Sequence, residues 1–233
     1  MLVLDNLTTH YGSSQALFGV SLRLEAGQVA TLLGRNGMGK TTTINSIMGI
    51  VKASGGSIKF DGQELVGRPS FKTANLGLGL VPEGRQIFPN LTMMENLIAT
   101  ASNHLGNPDP WTVDKVFALF PELETRVGSM GNLLSGGEQQ MLAIGRALMT
   151  NPRLLILDEA TEGLAPLVRQ KIWHALSEIA GRGMSILVVD KNLKDLLRIA
   201  DRHFIIQRGR VEWQGSSEEL AGNDEVRQKY LGF

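Results

Sequence analysis

The feature that most constrains this chain is the sequence GRNGMGKT at residues 34–41, which fits the pattern G-x-x-x-x-G-K-[ST]. An apolar run at residues 29–33 enters this segment and a helix-compatible run leaves it, which is the context that the pattern requires. Its glycines let the backbone turn sharply, so that successive N–H groups point inward at phosphate oxygens. The following helix presents its positive end to the same anion. The segment therefore predicts a loop that binds the phosphates of a nucleotide.

Two side chains of this loop have distinct expected roles. Lys40 can reach the β and γ phosphates of a nucleoside triphosphate, and the Thr41 hydroxyl can hold Mg²⁺. The residues predicted to contact the nucleotide are Gly34, Arg35, Asn36, Gly37, Met38, Gly39, Lys40, Thr41 and Thr42. Taken alone, the segment could also be a glycine-rich turn at a helix start. That alternative loses weight because the chain carries two further motifs of the same chemistry.

The amino-acid composition limits the kinds of molecule that the chain is expected to bind. The 233 residues carry 23 Lys and Arg against 23 Asp and Glu, so the formal net charge is zero. This balance argues against a dedicated nucleic-acid surface, which usually shows a basic excess. There is no cysteine, so neither a disulfide nor a thiolate-zinc framework is expected. No stretch approaches eighteen apolar residues, so any connection to a membrane is expected to come through a partner.

The pattern of apolar residues predicts a fold with both helices and strands. Apolar and polar residues alternate at 2–11 and 20–24, which predicts antiparallel strands. Continuous apolar runs at 154–157 and 186–189 are flanked by helix-like segments. Such runs predict a parallel sheet covered on both faces.

Near residue 90 the sequence pattern becomes helix-like. A Thr92-x-x-Glu95 pattern is typical of a capping box that opens a helix. A loop rich in Asn, Gly and Pro follows at 103–110, and a second amphipathic helix is predicted around 111–120, ending at Pro121. These features indicate a helical insert between the strands.

The buried-strand run at 154–157 ends in two carboxylates, which is the form of a Walker B strand. A strand of a parallel sheet delivers such side chains to the edge where ligands gather. We expect Asp158 to lie behind Mg²⁺, through water, and Glu159 to act as the general base that polarises a water in line with the γ phosphate. A strand that simply ends in an acidic turn is the alternative.

The segment LSGGEQ at residues 134–139 precedes an apolar helix. Its predicted ligand-contacting residues are Ser135, Gly136, Gly137 and Glu138. Together they form an exposed helix N-terminus, which is a second anion-binding site in one chain. Because the phosphate loop already serves one nucleotide, the simplest interpretation is that this site serves a nucleotide held by another subunit. A plain Ser N-cap is the alternative.

The phosphate loop, the Leu-Ser-Gly-Gly-Glu signature and the Walker B strand, in this order, resemble the nucleotide-binding subunit of an ATP-binding cassette (ABC) transporter. The resemblance covers essentially the whole chain. It implies an α/β fold with a P-loop NTPase (RecA-like) parallel sheet, an antiparallel β subdomain and a helical subdomain that carries the signature. The implied organisation is one ATPase domain over 1–233, with a core subdomain at 1–88 and 145–233 and a helical subdomain at 89–144.

The resemblance further implies ATP and Mg²⁺ as cofactors and a head-to-tail dimer. Each of two ATP molecules would lie between one subunit's phosphate loop and the other's signature. Soluble cassette ATPases that act on DNA or ribosomes are an alternative within the family. They usually carry two cassettes, a coiled-coil insert or a basic extension, none of which is seen in this sequence. A small-molecule kinase would lack the signature.

A finer resemblance rests on VPEGRQIFPNLT at residues 81–92 and EGLAP at 162–166. Both are similar to the second ATPase subunit of high-affinity branched-chain amino acid importers, and to close relatives that serve urea or amides. This implies a second ATPase subunit, two integral-membrane permease subunits and, indirectly, a periplasmic solute-binding protein, with no nucleic-acid partner. The implied location is peripheral, on the cytoplasmic face of the inner (plasma) membrane, and the implied activity is ATP hydrolysis that powers solute uptake.

Several family positions differ in this chain. Glu83 stands where the family usually has a glutamine that contacts Mg²⁺ and water, and Gln86 is a competing candidate. Lys191 stands where the family has a switch histidine; an ammonium can reach a γ phosphate but lacks the two-nitrogen relay of imidazole. A solvent-facing Lys191 is the alternative. Ala165 stands where many relatives carry Asp, which weakens hydrogen bonding across the dimer.

Two further assignments come from the resemblance. Tyr11 precedes Gly12 where the family usually has an aromatic residue that stacks on adenine, although a Tyr that ends a strand is often only an edge residue. The segment 83–100 is expected to meet a cytoplasmic helix of the permease through Ile87, Phe88 and Leu91. Core packing beneath the loop is the alternative for these three side chains.

Overall fold

The computed structural model describes residues 1–232 and places their strands in two sheets. The strands are β1 Leu2–Tyr11, β2 Ser14–Leu24, β3 Val29–Leu33, β4 Ala53–Phe60, β5 Gln63–Glu64, β6 Leu78–Val81, β7 Leu154–Asp158, β8 Ser185–Val189, β9 Arg202–Gln207 and β10 Arg210–Gly215. The helices are α1 Lys40–Ile47, α2 Ser70–Ala74, α3 Met93–Ile98, α4 Val113–Leu119, α5 Pro121–Glu124, α6 Gly136–Leu148, α7 Pro166–Gly181, α8 Leu193–Ile199, α9 Ser217–Ala221 and α10 Asp224–Val226. A 3₁₀ turn at Gly131–Leu133 precedes α6, and a π turn at Arg227–Leu231 follows α10.

The larger sheet has the strand order β10-β9-β3-β8-β7-β6. Strands β3, β6, β7, β8 and β9 are parallel, and β10 pairs antiparallel with β9. Every residue of β3, β7 and β8 is buried, which explains why these strands are apolar without alternation. Because the strands are parallel, the carboxyl ends of β3, β7 and β8 lie at one edge of the sheet. The predicted α/β fold with a parallel sheet is confirmed.

Alternate side chains of these strands enter two separate cores. On one face, Leu155 and Leu157 pack with the apolar sides of α6, α7 and α8. On the other face, Leu154 and Ile156 pack with α1 and the smaller sheet. The predicted cover on both faces is confirmed, with helices on the first face and α1 together with the smaller sheet on the second. The apolar side of a sheet of long antiparallel strands can cover another sheet, just as the apolar side of a helix can.

The smaller sheet has the order β2-β1-β4-β5 and is antiparallel. The predicted strand at 2–11 is confirmed, whereas β2 begins at Ser14, six residues before the predicted start at residue 20. The early part of β2 breaks the alternation of apolar and polar residues. Gly19 has a φ of 98°, and the register between β1 and β2 shifts three times along the pair.

The region between β6 and β7 is helical. Thr92 caps α3, and its side chain and that of Glu95 form the predicted capping box. The second helix, α4, ends at Leu119, and Pro121 begins α5 rather than a loop, because proline is tolerated in the first turn of a helix. The division into subdomains at 89 and 144 stays a prediction, and α6 runs continuously through the second of these boundaries. None of the helices described within residues 1–232 has the length and apolar character that crossing a bilayer demands.

His203 links β3, β9 and α9 through a buried polar contact. Its side chain is fully buried, with Nδ1 at 2.7 Å from Thr31 Oγ1 and Nε2 at 2.8 Å from Ser217 Oγ. Burial lowers the pKa of His203 to about 4, well below the usual value for histidine. The imidazole is therefore neutral in the folded protein at neutral pH.

We expect acid to destabilise the fold through His203. Between pH 6.5 and pH 4 the unfolded chain binds a proton at this histidine and the folded chain does not, so stability falls as the pH falls. The loss is about 2 kcal/mol at pH 5 relative to pH 7. Urea unfolding of His203→Gln should show a flatter pH dependence in this window, whereas His104→Gln, at an exposed position, should behave like the unmodified protein. Equal pH dependence in all three proteins would contradict the assignment.

Candidate functional site

The predicted phosphate loop connects the carboxyl end of β3 to the N-terminus of α1. Gly39 is the N-cap of α1 with a φ of 110°, and Gly34 has a φ of 142°. A Cβ at Gly34 would lie 2.3 Å from the carbonyl oxygen of Ile206, so only glycine allows β9 to pass this close. Lys40 Nζ donates hydrogen bonds to the carbonyl oxygens of Gly34 and Arg35, at 2.8 and 3.0 Å. The lysine is thus held inside the turn of its own loop.

Lys40 is buried beside two carboxylates. Burial lowers its pKa, and the negative charges of Glu159 and Asp158 oppose that shift. The ammonium therefore lies where the loop, the end of β7 and the N-terminus of α1 meet. This geometry can bind an anion through the backbone N–H groups and the lysine ammonium acting together.

A cavity of about 440 Å³ opens beside this lysine. Its volume lies within the range of small-molecule sites. It is lined by Gln15, Ala16, Phe18, Asn36, Gly37, Gly39, Lys40, Thr41, Thr42, Glu83, Glu159, Arg208 and Gly209. The structure therefore brings together most of the predicted loop residues, the predicted general base and two of the three predicted metal ligands, Thr41 and Glu83.

The cavity also includes residues that the sequence did not indicate. Phe18 is partly exposed in its wall, beside Gln15 on β2. Tyr11, the predicted adenine-stacking residue, lies next to the loop, with its hydroxyl 3.5 Å from Thr42 Oγ1. The ring of Tyr11 is half exposed. Phe18 carries no motif, and its position depends on the pairing of β1 with β2, so local sequence holds no signal for it.

Asp158 is the last residue of β7 and immediately precedes Glu159, which lines this cavity. Its carboxylate is buried, and its Oδ1 atom has no hydrogen-bond partner among the residues that the structure describes. Burial raises the pKa of Asp158, and a hydrogen bond from Thr41 acts in the opposite direction. A buried carboxylate oxygen without a donor, beside a threonine hydroxyl, is a donor set that fits a hydrated Mg²⁺.

The alternatives Glu83 and Gln86 differ in their placement. Glu83 lines the cavity. Burial is the largest cause of the raised pKa of Asp158, and the negative charge of Glu83 raises that pKa further. Gln86 has a φ of 45°, and its carbonyl oxygen accepts a hydrogen bond from Arg146 at 2.7 Å. The geometry therefore favours Glu83 as the residue that faces the site.

Glu159 follows β7 with a backbone in the left-handed region, at a φ of 58°. Its N–H donates to the carbonyl oxygen of Val189 at 2.9 Å, which ties it to the end of β8. A hydrogen bond shared with the carboxylate of Glu162, together with burial, raises the pKa of Glu159 to about 7. A carboxyl group of this pKa can exchange protons with water at neutral pH, as a general base requires. The unusual φ at this position is typical of functional sites.

Lys191, the residue in place of the switch histidine, is bound to a partner that the sequence did not indicate. Its Nζ atom lies 2.5 Å from Glu162 Oε1. The hydrogen bond with Glu159 and the ion pair with Lys191 lower the pKa of Glu162. Lys191 departs from the family and Glu162 belongs to the EGLAP segment, but nothing in the local sequence joins residues 29 positions apart.

The signature segment forms the N-terminus of α6. Ser135 is the N-cap and accepts a hydrogen bond from the backbone N–H of Glu138 at 3.3 Å, while Glu138 Oε2 accepts one from Ser135 N at 2.7 Å. Glu138 also pairs with Arg126 at 2.8 Å. The Ser N-cap that the sequence left as the alternative is thus present, and the Glu138 side chain is engaged within its own subunit. Among the described residues, no part of 134–139 lines the cavity beside Lys40.

Comparisons with known proteins match the chain to one family. Residues 17–162, more than half of the chain, match the family model described as ABC transporter. The chain is 41% identical over 234 residues to the "High-affinity branched-chain amino acid transport ATP-binding protein BraG" of Pseudomonas aeruginosa, covering 100% of both proteins. It is 31% identical to the "Lipopolysaccharide export system ATP-binding protein LptB" of Haemophilus influenzae, covering 100% of this chain and 97% of that protein. The fold matches the crystal structure of a nucleotide-free ATP-binding cassette from an ABC transporter, with a TM-score of 0.84, 26% identity and coverage of 97% and 96%.

Proposed function

The chain belongs to the ATP-binding cassette family of transport ATPases, and from this premise we propose that it powers the uptake of branched-chain amino acids or a related small polar solute such as urea or an amide. The observation that carries the proposal is the 41% identity, over the full length of both proteins, to a subunit named for branched-chain amino acid transport. The ATPase activity itself follows from the family. The phosphate loop and the Walker B carboxylates that this activity needs are present in the chain.

We assign the chemistry to the residues around the 440 Å³ cavity. Lys40 and the loop N–H groups bind the β and γ phosphates, and Glu159 accepts the proton of the water that attacks the γ phosphorus. Thr41, Asp158 and Glu83 would hold Mg²⁺. The ion, when bound, neutralises charge that develops on the phosphate oxygens. The orphaned Oδ1 atom of Asp158 supports this assignment.

The signature completes the site of a neighbouring subunit in this proposal. Ser135, Gly136 and Gly137 present backbone N–H groups and a helix N-terminus, and they lie outside the cavity of their own phosphate loop. A head-to-tail dimer, with a second copy or a sister ATPase subunit, would place each signature on the partner's nucleotide. ATP then closes the two subunits because it contacts both of them, and hydrolysis removes the bridging phosphate.

A groove beside β6 is the candidate surface for a permease. It has a volume of about 580 Å³ and is lined by residues of α2, β6, the end of α3, the end of α6 and the following loop. Phe71 and Phe88 are exposed here, and the Arg146 guanidinium lies 4.6 Å from the Phe88 ring centroid. We propose that a cytoplasmic helix of a permease subunit occupies this groove. Ile87 packs against the main core, so the core-packing alternative holds for that residue.

A single charged substitution, Phe71→Asp, tests whether a permease subunit binds in this groove. Phe71 is 62% exposed, so Phe71→Asp should leave the fold and ATP binding unchanged. It should reduce recovery of permease subunits with this chain by about tenfold, because a carboxylate in the apolar contact loses its hydration. Val127→Asp, at a partly exposed position outside the groove, is the matched control. Equal recovery with both variants would contradict the docking assignment.

Purification of the tagged chain from membranes tests the proposed function. Recovery of integral-membrane permease subunits, identified by mass spectrometry, is the expected result. Recovery with ribosomes or nucleic acid would contradict it. Uptake of labelled leucine, urea and short amides by cells with and without the chain then identifies the solute. An uptake rate unaffected by loss of the chain for all three would contradict the proposed cargo class.

A further inference from the structure

The loop after Walker B is fixed to the loop after β8 by buried contacts. Thr161 is buried, and both its N–H and its hydroxyl donate to Asp190 Oδ2, at 2.8 and 2.7 Å. The N–H of Glu159 bonds to the carbonyl oxygen of Val189 at 2.9 Å. These contacts hold residues 159–162 and 189–191 side by side without any contribution from Glu162 or Lys191.

On this rigid base, Glu162 and Lys191 form an exposed ion pair. Lys191 Nζ lies 2.5 Å from Glu162 Oε1, and the two side chains are 55% and 46% exposed. Exposed pairs of this kind contribute little stability. The pair is therefore easy to break when a stronger anion approaches either partner.

Lys191 lies between two cavities. One, of about 280 Å³, is also lined by Gly34, Arg35 and Lys40 of the phosphate loop. The other, of about 400 Å³, is also lined by Glu162, and none of the described residues of that loop lies in its wall. Glu159 lines both. The lysine ammonium is therefore paired with a carboxylate, and the same residue lines a cavity that it shares with the phosphate loop.

We propose that Glu162 is a positioning residue that holds the Lys191 ammonium in the ion pair until the terminal phosphate of ATP competes for it. The inference rests on the proposed function, because it requires the phosphate loop to bind ATP. The terminal phosphate bears about two negative charges against one on Glu162, so it wins the competition. ADP lacks this group and leaves the ion pair closed. Glu162 therefore reduces the affinity for ATP and leaves that for ADP unchanged.

The test compares binding of two nucleotides by four forms of the protein. Calorimetry measures the Kd of the non-hydrolysable ATP analogue AMP-PNP and of ADP for the unmodified chain, Glu162→Gln, Lys191→Gln and the double variant. Glu162→Gln is expected to tighten AMP-PNP by about two- to fivefold, which corresponds to release of one exposed ion pair, and to leave ADP unchanged. In the Lys191→Gln background, Glu162→Gln should have no effect on either nucleotide.

A matched control removes an equivalent ion pair elsewhere. Lys171 and Glu122 form a pair whose side chains are 47% and 34% exposed, and Glu122→Gln should change neither Kd. Glu162→Ala serves as the second variant and should reproduce the selectivity of Glu162→Gln. Since both positions are exposed, thermal melting confirms that each variant is folded before binding is measured.

The possible results distinguish failure of the positioning role of Glu162 from failure of nucleotide binding by the chain. If Glu162→Gln tightens AMP-PNP equally with and without Lys191, or tightens ADP to the same extent, the residue acts by general charge repulsion and the positioning role is wrong. Unchanged AMP-PNP binding in both Glu162 variants would also overturn it. If the unmodified chain itself binds neither nucleotide, the proposed function fails, whatever the ion pair does.

Discussion

Replacing Glu159 with Gln is expected to reduce ATP turnover by about a thousandfold while ATP binding persists. The substitution retains the size of the side chain and removes its ability to accept a proton from the attacking water. The left-handed backbone at Glu159, with a φ of 58°, is unchanged by it. Lys40 and the phosphate loop stay intact, so the nucleotide is held but is not cleaved. Phosphate release under saturating ATP measures turnover, and equilibrium binding of ATP measures affinity.

The same variant should accumulate as an ATP-bound dimer. Hydrolysis is the step that opens the proposed closed state, so slowing it raises the closed fraction, which size-exclusion chromatography with ATP can detect. Glu124→Gln, at an exposed position on α5, is the control and should retain normal turnover. Near-normal turnover by Glu159→Gln would remove Glu159 from the role of general base.

The parts of this molecule that could be predicted from sequence are those defined by local chemistry. The phosphate loop, the capping box at Thr92 and the apolar strands β7 and β8 depend on residues within a few positions of one another. Each such pattern has one favourable local conformation, and the structure adopts it. The start of β2 at Ser14 was not predictable in this way, because it depends on pairing with β1.

The same distinction applies to the site. The strand–loop–helix context placed Lys40 beside a cavity, and the end of β7 placed Glu159 in its wall. The partner of Lys191 depends on which loops meet at the sheet edge, and the sequence alone left this residue between a γ phosphate and solvent. The structure shows a third possibility, an ion pair with Glu162. Contacts between loops arise from topology, so they become visible only once the strand order is known.

One substitution, Gly136→Asp, should impair the signature site and leave nucleotide binding by the phosphate loop unchanged. This glycine occupies the first turn of α6, and its φ lies outside the left-handed region, so a side chain causes no backbone strain. A Cβ there would lie 3.1 Å from Arg85 Nη1, at the flexible end of a side chain that can move or pair with the new carboxylate. An aspartate near a helix N-terminus is also favourable for the helix. The folded subunit should therefore tolerate the change and bind ATP normally.

Hydrolysis should nevertheless fall by roughly a hundredfold in Gly136→Asp, comparable to the loss of an oxyanion-hole donor. The new negative charge would face the γ phosphate of the nucleotide on the neighbouring subunit, where the helix N-terminus otherwise attracts it. Unlike Glu159→Gln, this variant should stay monomeric in ATP, since the closed dimer is the state that it disfavours. Gly136→Ala, which adds a methyl group without charge, should retain most of the activity. Normal turnover by Gly136→Asp, or full turnover by a permanent monomer, would show that one chain builds the whole hydrolytic site. The contrast between the two variants therefore tests whether catalysis needs a signature supplied by a second subunit.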